Sequence, residues 1–180
     1  MAAKAGPSQG ASEDALWKRV GAWSYYHYDR HTPADAFGPY APPVDMWHGK
    51  KNGRELPAWR DFDFYDFIGW HGWICVFDIR HDPFDWTCRL SGTHVDELTG
   101  RSFQGKSRAH VYDQAITEST MEFFEHALTH GKIGWCVGPI NLFGREHIHA
   151  QYLELPCSND GRSVDTVIEI MISRKSYSSS

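Results

Sequence analysis

The sequence predicts an α+β domain, and three observations predict it. Strand-like segments recur near Trp73–Ile79, Trp86–Ser91, Ile133–Leu142, His147–Leu155 and Val164–Ser173, each with apolar residues in alternation or in a short run. One long helical pattern, from about Asp113 to His130, stands between the second and third of them. The last three strands are joined by turns too short for crossovers, at Gly144-Arg145 and at Ser158-Asn159-Asp160-Gly161, which makes them antiparallel. An antiparallel sheet of five strands with helices packed on one face follows, preceded by an N-terminal helical extension.

The stretch from Trp86 to Arg101 reads as a strand running into a short helix. Trp86, Cys88 and Leu90 alternate with Thr87, Arg89 and Ser91, which assigns the first three to the core side. Gly92 permits a sharp turn, Thr93 is placed as an N-cap with Asp96 completing a capping box, and Gly100 ends the helix as a left-handed residue. On the long helix, Ile116, Thr120, Phe123, Phe124, Ala127 and Leu128 form one stripe, closed by Gly131. Gly138-Pro139 interrupts the third strand and suggests a bulge or an edge.

Residues 1–12 are small and polar and read as disordered, and residues 175–180 as a frayed tail. Residues 13–45 read as an extension to a domain over 46–174. Ser12 can cap a helix opening with Glu13 and Asp14, and Leu16, Val20, Trp23 and His27 recur at helical spacing. The proline-rich loop from Thr32 to Pro43 would detach that helix, leaving Leu16, Trp17, Val20 and Trp23 for a homodimer contact or a docking partner. Asp61, Asp63 and Asp66 lack the spacing of a calcium loop and read as helix-end and solvent-facing charges.

The 180 residues carry a net charge of −5, which provides no basic field for nucleic acid. No apolar run reaches the roughly 18–20 residues that span a bilayer, and the N-terminal residues lack the apolar stretch of a secretory signal. The four cysteines, Cys75, Cys88, Cys136 and Cys157, are widely spaced within strand-like segments and read as buried free thiols. A cytoplasmic location is the expectation.

Leu56-Pro57 with Arg60-Asp61-Phe62-Asp63, the strand WICVFDI, the segment Cys88-Arg89-Leu90-Ser91-Gly92-Thr93, and Thr99-Gly100-Arg101-Ser102-Phe103-Gln104-Gly105 together resemble the PAS domain. The likeness is to its stand-alone bacterial subfamily, common in alphaproteobacteria, and covers roughly residues 50–173. A strand ending in R-L-x-G-T, a short helix and a G-R-x-x-x-G loop carry it. The resemblance implies a five-stranded sheet cupping a pocket against the long helix, and a sensory, dimerisation or docking role without catalysis. With no output domain in the sequence, a signal would pass to a partner protein. Pocket candidates are Trp73, Cys75, Phe77, Trp86, Cys88, Leu90, Ile116, Phe123 and Val167, an apolar and aromatic lining suited to a flat or hydrophobic metabolite.

Other chemistry has less support. His126 and His130 are spaced to chelate, as are His147 and His149, but no further ligands lie near them in sequence, so no metal site is assigned. Haem-binding relatives use an inward histidine on the long helix, and His126 lies off the inward stripe. Flavin photosensors of the family use a cysteine in a stretch whose nearest counterpart, Arg101 to Gln104, has none, so any cofactor is unknown. A cone-shaped isomerase with Tyr152 or Asp165 as acid or base is a competing reading, as is a docking module whose pocket its own aromatics fill.

Overall fold

The computed structural model describes residues 12–107, 114–140 and 144–173. Seven strands form one antiparallel sheet: β1 (Leu16–Val20), β2 (Trp23–Tyr28), β3 (Ile74–His81), β4 (Phe84–Ser91), β5 (Ile133–Ile140), β6 (Arg145–Cys157) and β7 (Thr166–Ser173). Their order across the sheet is β1-β2-β5-β6-β7-β3-β4. The expected five-stranded sheet, which the PAS resemblance also implied, is therefore not what forms: its five strands are contiguous, but β1 and β2 add to the β5 edge and make a sheet of seven. Three α-helices are present among the described residues: α1 (Ala41–Gly49), α2 (Thr93–Thr99) and α3 (Gln114–Thr129).

The expected N-terminal helix is replaced by a hairpin. Ser12 does cap a turn, its Oγ accepting from the Asp14 amide at 3.3 Å, but that turn is a single 3₁₀ turn over Glu13–Ala15. The chain then reverses at Gly21, which adopts φ +57°, and β2 pairs with β5 from Ser24↔Val137 to Tyr28↔Ile133. WSYYHY is rich in residues that favour strands, and burying them against β5 outweighs a helical spacing carried by few residues. Of the proposed contact residues, Trp17 and Trp23 are already packed. Trp17 stacks on His126 at 5.4 Å, and the Trp23 ring lies 2.3 Å from where a Cβ on Gly138 would sit. Leu16 is half-buried and Val20 exposed at the edge.

Helices cover both faces of the sheet rather than one. On one side, α1 and the preceding 3₁₀ segment pack by way of Phe37, Tyr40, Val44 and Trp47, all fully buried. Tyr40 Oη donates to the Gln151 carbonyl at 3.0 Å and Trp47 Nε1 to the Pro156 carbonyl at 3.0 Å. The proline loop thus folds back as a layer of the same unit. On the other side lie α2 and α3, and Phe123, Phe124, Ala127 and Leu128 are buried there as the helical stripe predicts. Three layers result.

Two local expectations change. α2 begins after Gly92, whose carbonyl accepts from the Asp96 amide at 3.0 Å, while Ser91 Oγ donates to Asp96, so Thr93 is not the cap. Gly100 does close the helix, at φ +80°. Between Val76 and Phe77 the pairing of β3 with β4 shifts: Phe77 opposes Cys88 whereas Val76 opposes Leu90. Arg89 is the extra residue of a β-bulge, so Leu90 turns away from the side that Trp86 and Cys88 face. It is 37% exposed. Asp61 pairs with Arg54, and Asp63 caps the turn Phe64–Phe67, accepting from the Tyr65 amide at 2.8 Å. Of the residues expected to be disordered, 1–12, Ser12 caps the Glu13–Ala15 turn and 1–11 lie outside the described residues, as does the expected tail 175–180.

Candidate functional site

Directly opposed residues in an antiparallel sheet point to the same side. One such row crosses the protein beneath α3: His27 on β2 opposes Gly134 on β5, then Glu154 on β6, Glu169 on β7, Cys75 on β3 and Ser91 on β4. The adjacent row faces α1 and is wholly apolar: Tyr26, Trp135, Leu153, Ile170 and Ile74. Polar groups are therefore gathered on the α3 side of an otherwise hydrophobic sheet.

Phe123 of α3 sits over Gly134. A Cβ there would lie 2.8 Å from Phe123 Cζ and 3.2 Å from Glu154 Cβ, so glycine lets the helix approach. Tyr25, on the same side, hydrogen-bonds Thr120 at 3.3 Å and Ser119 at 3.4 Å. His27 stacks on Phe123 at 5.0 Å and on His126 at 4.8 Å, with rings within 8° of parallel in the latter pair. Burial, then the neighbouring His126, lowers His27 to about 4.

Glu154 and Glu169 form the centre of the row. Both are buried, Glu154 completely. Burial, then the charge of the adjacent Glu169, hold the Glu154 carboxyl well above its ordinary range. Burial raises Glu169 to about 7, partly offset by the adjacent Glu154 carboxyl. Two adjacent buried carboxylates cannot both stay charged, so at least one of the pair holds a proton. Among the described residues neither carboxyl oxygen of Glu154 has a hydrogen-bond partner. Cys136 and Cys75, both buried free thiols on this side, are held well up, Cys136 chiefly by burial and Cys75 by its bond to Cys88 and by burial.

Of the sequence-derived pocket residues, Cys75, Phe77, Trp86, Cys88, Phe123 and Val167 are buried. Phe77 opposes both Cys88 and Val167, and its ring meets Trp86 edge-on at 4.9 Å. Trp73 lies outside the group, in a 3₁₀ turn before β3, packed on His94 at 4.5 Å. Leu90 is turned outward by the bulge, and the side chain of Ile116 lies outside the described residues. Sequence reasoning missed the acid pair. Its signal was one carboxylate centred in each of two apolar runs, Leu153-Glu154-Leu155 and Ile168-Glu169-Ile170.

Tyr152 and Asp165, the acid–base candidates of the isomerase reading, are not brought together. Tyr152 opposes Met171, whereas Asp165 braces the β6–β7 turn through Asn159, accepting from its amide at 2.7 Å and from Nδ2 at 2.8 Å. Among the described residues no group of three potential ligands could hold a metal, and no helix is long and apolar enough to cross a membrane.

In comparisons with known proteins, the chain matches no family model, no curated protein and no solved structure. The PAS resemblance rests on the quoted residues alone.

Proposed function

We propose that this protein is a non-catalytic sensory or regulatory module of PAS type, which binds a small molecule beneath α3 and passes the signal to a partner protein. The observation that carries the reading is the fully buried Glu154, neither of whose carboxyl oxygens has a hydrogen-bond partner among the described residues. A buried acceptor without a partner destabilises a fold by roughly 1–3 kcal/mol, and a bound molecule with a donor group would remove that penalty. Phe77, Trp86, Phe123 and Val167 supply apolar surface on the same side of the sheet, as a ligand site requires.

Native mass spectrometry and an absorption spectrum of protein purified from its own cell test this directly. A stoichiometric added mass that is lost in Glu154→Leu supports the reading. Protein at its bare chain mass, with Glu154→Leu more stable than wild type, removes it.

A docking module without ligand is the second reading, and a different observation favours it. Phe64, Tyr65 and Ile68 cluster on one turn at 71%, 75% and 67% exposure. Homodimerisation belongs to either reading. Sedimentation that finds only monomer at every accessible concentration removes it.

A further inference from the structure

A cleft of about 620 Å³ opens at the end of the sheet, away from the acid pair. Four segments meet there: the residues after β2, the loop before Leu56, the C-terminus of α3 and the β6–β7 turn. Its polar lining is unusual for a chain of net charge −5: three guanidiniums, Arg30, Arg54 and Arg162, against the single carboxylate of Glu55.

Two of the three are fixed in place. Arg30 Nη2 donates to the His130 carbonyl at 2.8 Å, and its guanidinium lies 3.4 Å from where a Cβ on Gly131 would be. Arg54 Nε donates to the Lys51 carbonyl at 3.0 Å, and its Nη2 is bound to Asp61. Each guanidinium has five N–H donors, so neither is exhausted by these bonds. Arg162 is exposed on the turn and forms no ion pair among the described residues. At the α3 C-terminus Gly131 N donates to Leu128 O at 3.1 Å and Lys132 N to Ala127 O at 2.8 Å, which weakens the negative field of those two carbonyls.

The geometry points to a second binding site, for a small organic phosphate. Arg30 and Arg162 would take the dianion, and the buried floor of Leu56, Leu128 and Val164 would meet its organic part. Glu55 lies at the cleft 3.8 Å from Arg30 Nη1 and 3.1 Å from His31 Nε2. Binding must displace it. The volume exceeds what inorganic phosphate alone would fill.

Calorimetric titration of the full chain with pyrophosphate, adenosine monophosphate, adenosine and succinate tests the site. Pyrophosphate and adenosine monophosphate should bind, adenosine should not, and affinity should fall with added salt. Arg162→Glu should weaken binding by about tenfold or more, one lost charge-assisted bond, while leaving the melting temperature without ligand unchanged. Glu55→Gln should tighten it severalfold, an effect that a merely structural Glu55 would not produce. Failure of both phosphates to bind at millimolar concentration overturns the proposal, as does binding that ignores both substitutions. Succinate binding as tightly as the monophosphate overturns the assignment to phosphate. None of these outcomes depends on the site beneath α3.

Discussion

Glu154 on β6 and Glu169 on β7 oppose each other in register inside the protein, two buried carboxyls in a site with no cation among its described neighbours. The folded protein raises Glu169 from 4.5 to about 7, so it binds a proton at pH values where the unfolded chain has released it. The stability contributed by that proton is full below about pH 4.5 and is lost as pH rises to about 7. Glu169→Gln keeps the shape and removes the titration. It should stabilise the protein by about 1–3 kcal/mol at pH 8 and change little at pH 4, read from urea unfolding at the two pH values. Equal effects at both would refute the raised Glu169 value.

His27 works in the opposite direction. Its folded value is lowered to about 4 from 6.5, by burial first and then by His126, with Lys132 and His130 adding to the repulsion. The unfolded chain takes up the proton first, so stability is lost as pH falls from 6.5 towards 4. His27→Phe retains the stack on Phe123 and His126 and should gain roughly 1 kcal/mol over wild type at pH 5 compared with pH 8, a figure reduced for partial solvent exposure. Thermal melts across that range check it, and a constant difference between the two proteins would refute it.

Gly134 and Phe123 form a tight contact that a double-mutant cycle can isolate. Gly134→Ala pushes a Cβ to 2.8 Å from Phe123 Cζ, and the ring is held between β2 and the helix, so the loss should be about 1–3 kcal/mol. Phe123→Ala should destabilise by about 3–5 kcal/mol on its own. In the Phe123→Ala background, Gly134→Ala should cause little further loss. Additive losses would show that the clash is not what glycine avoids.

Removing residues 1–45 should do more than weaken an association. It strips β1 and β2 from the β5 edge and uncovers Trp135 and Leu153 on the α1 side. The shortened chain should lack a cooperative thermal transition by circular dichroism. A truncated protein that melts cooperatively near the full-length temperature would restore the N-terminal segment to the role of a separate docking arm.

The five sheet strands and the long helix were legible because their apolar periodicities are sustained and their turns carry strong signals. Gly100 and Gly131, for instance, both take positive φ at helix ends. The N-terminal hairpin was misread because Leu16, Val20, Trp23 and His27 happen to fit a helical spacing. The better signal was the aromatic run from Trp23 to Tyr28 beside Gly21, in which Tyr25 and His27 turn to one face and Tyr26 and Tyr28 to the other. Leu90 was misplaced because a bulge inserts Arg89 without leaving any mark on the alternation of the strand.

The sequence by itself determined the α+β class and the identity of the core strands and α3. Those are properties of local period, and a period is written along the chain. Only the tertiary structure decided that Glu154 meets Glu169, that Arg30 and Arg162 line one cleft, and that aromatic N-terminal residues complete the sheet. Each of these depends on register and on which distant segments become neighbours. Pairing free energy is set by the two surfaces together and is not encoded in either segment alone.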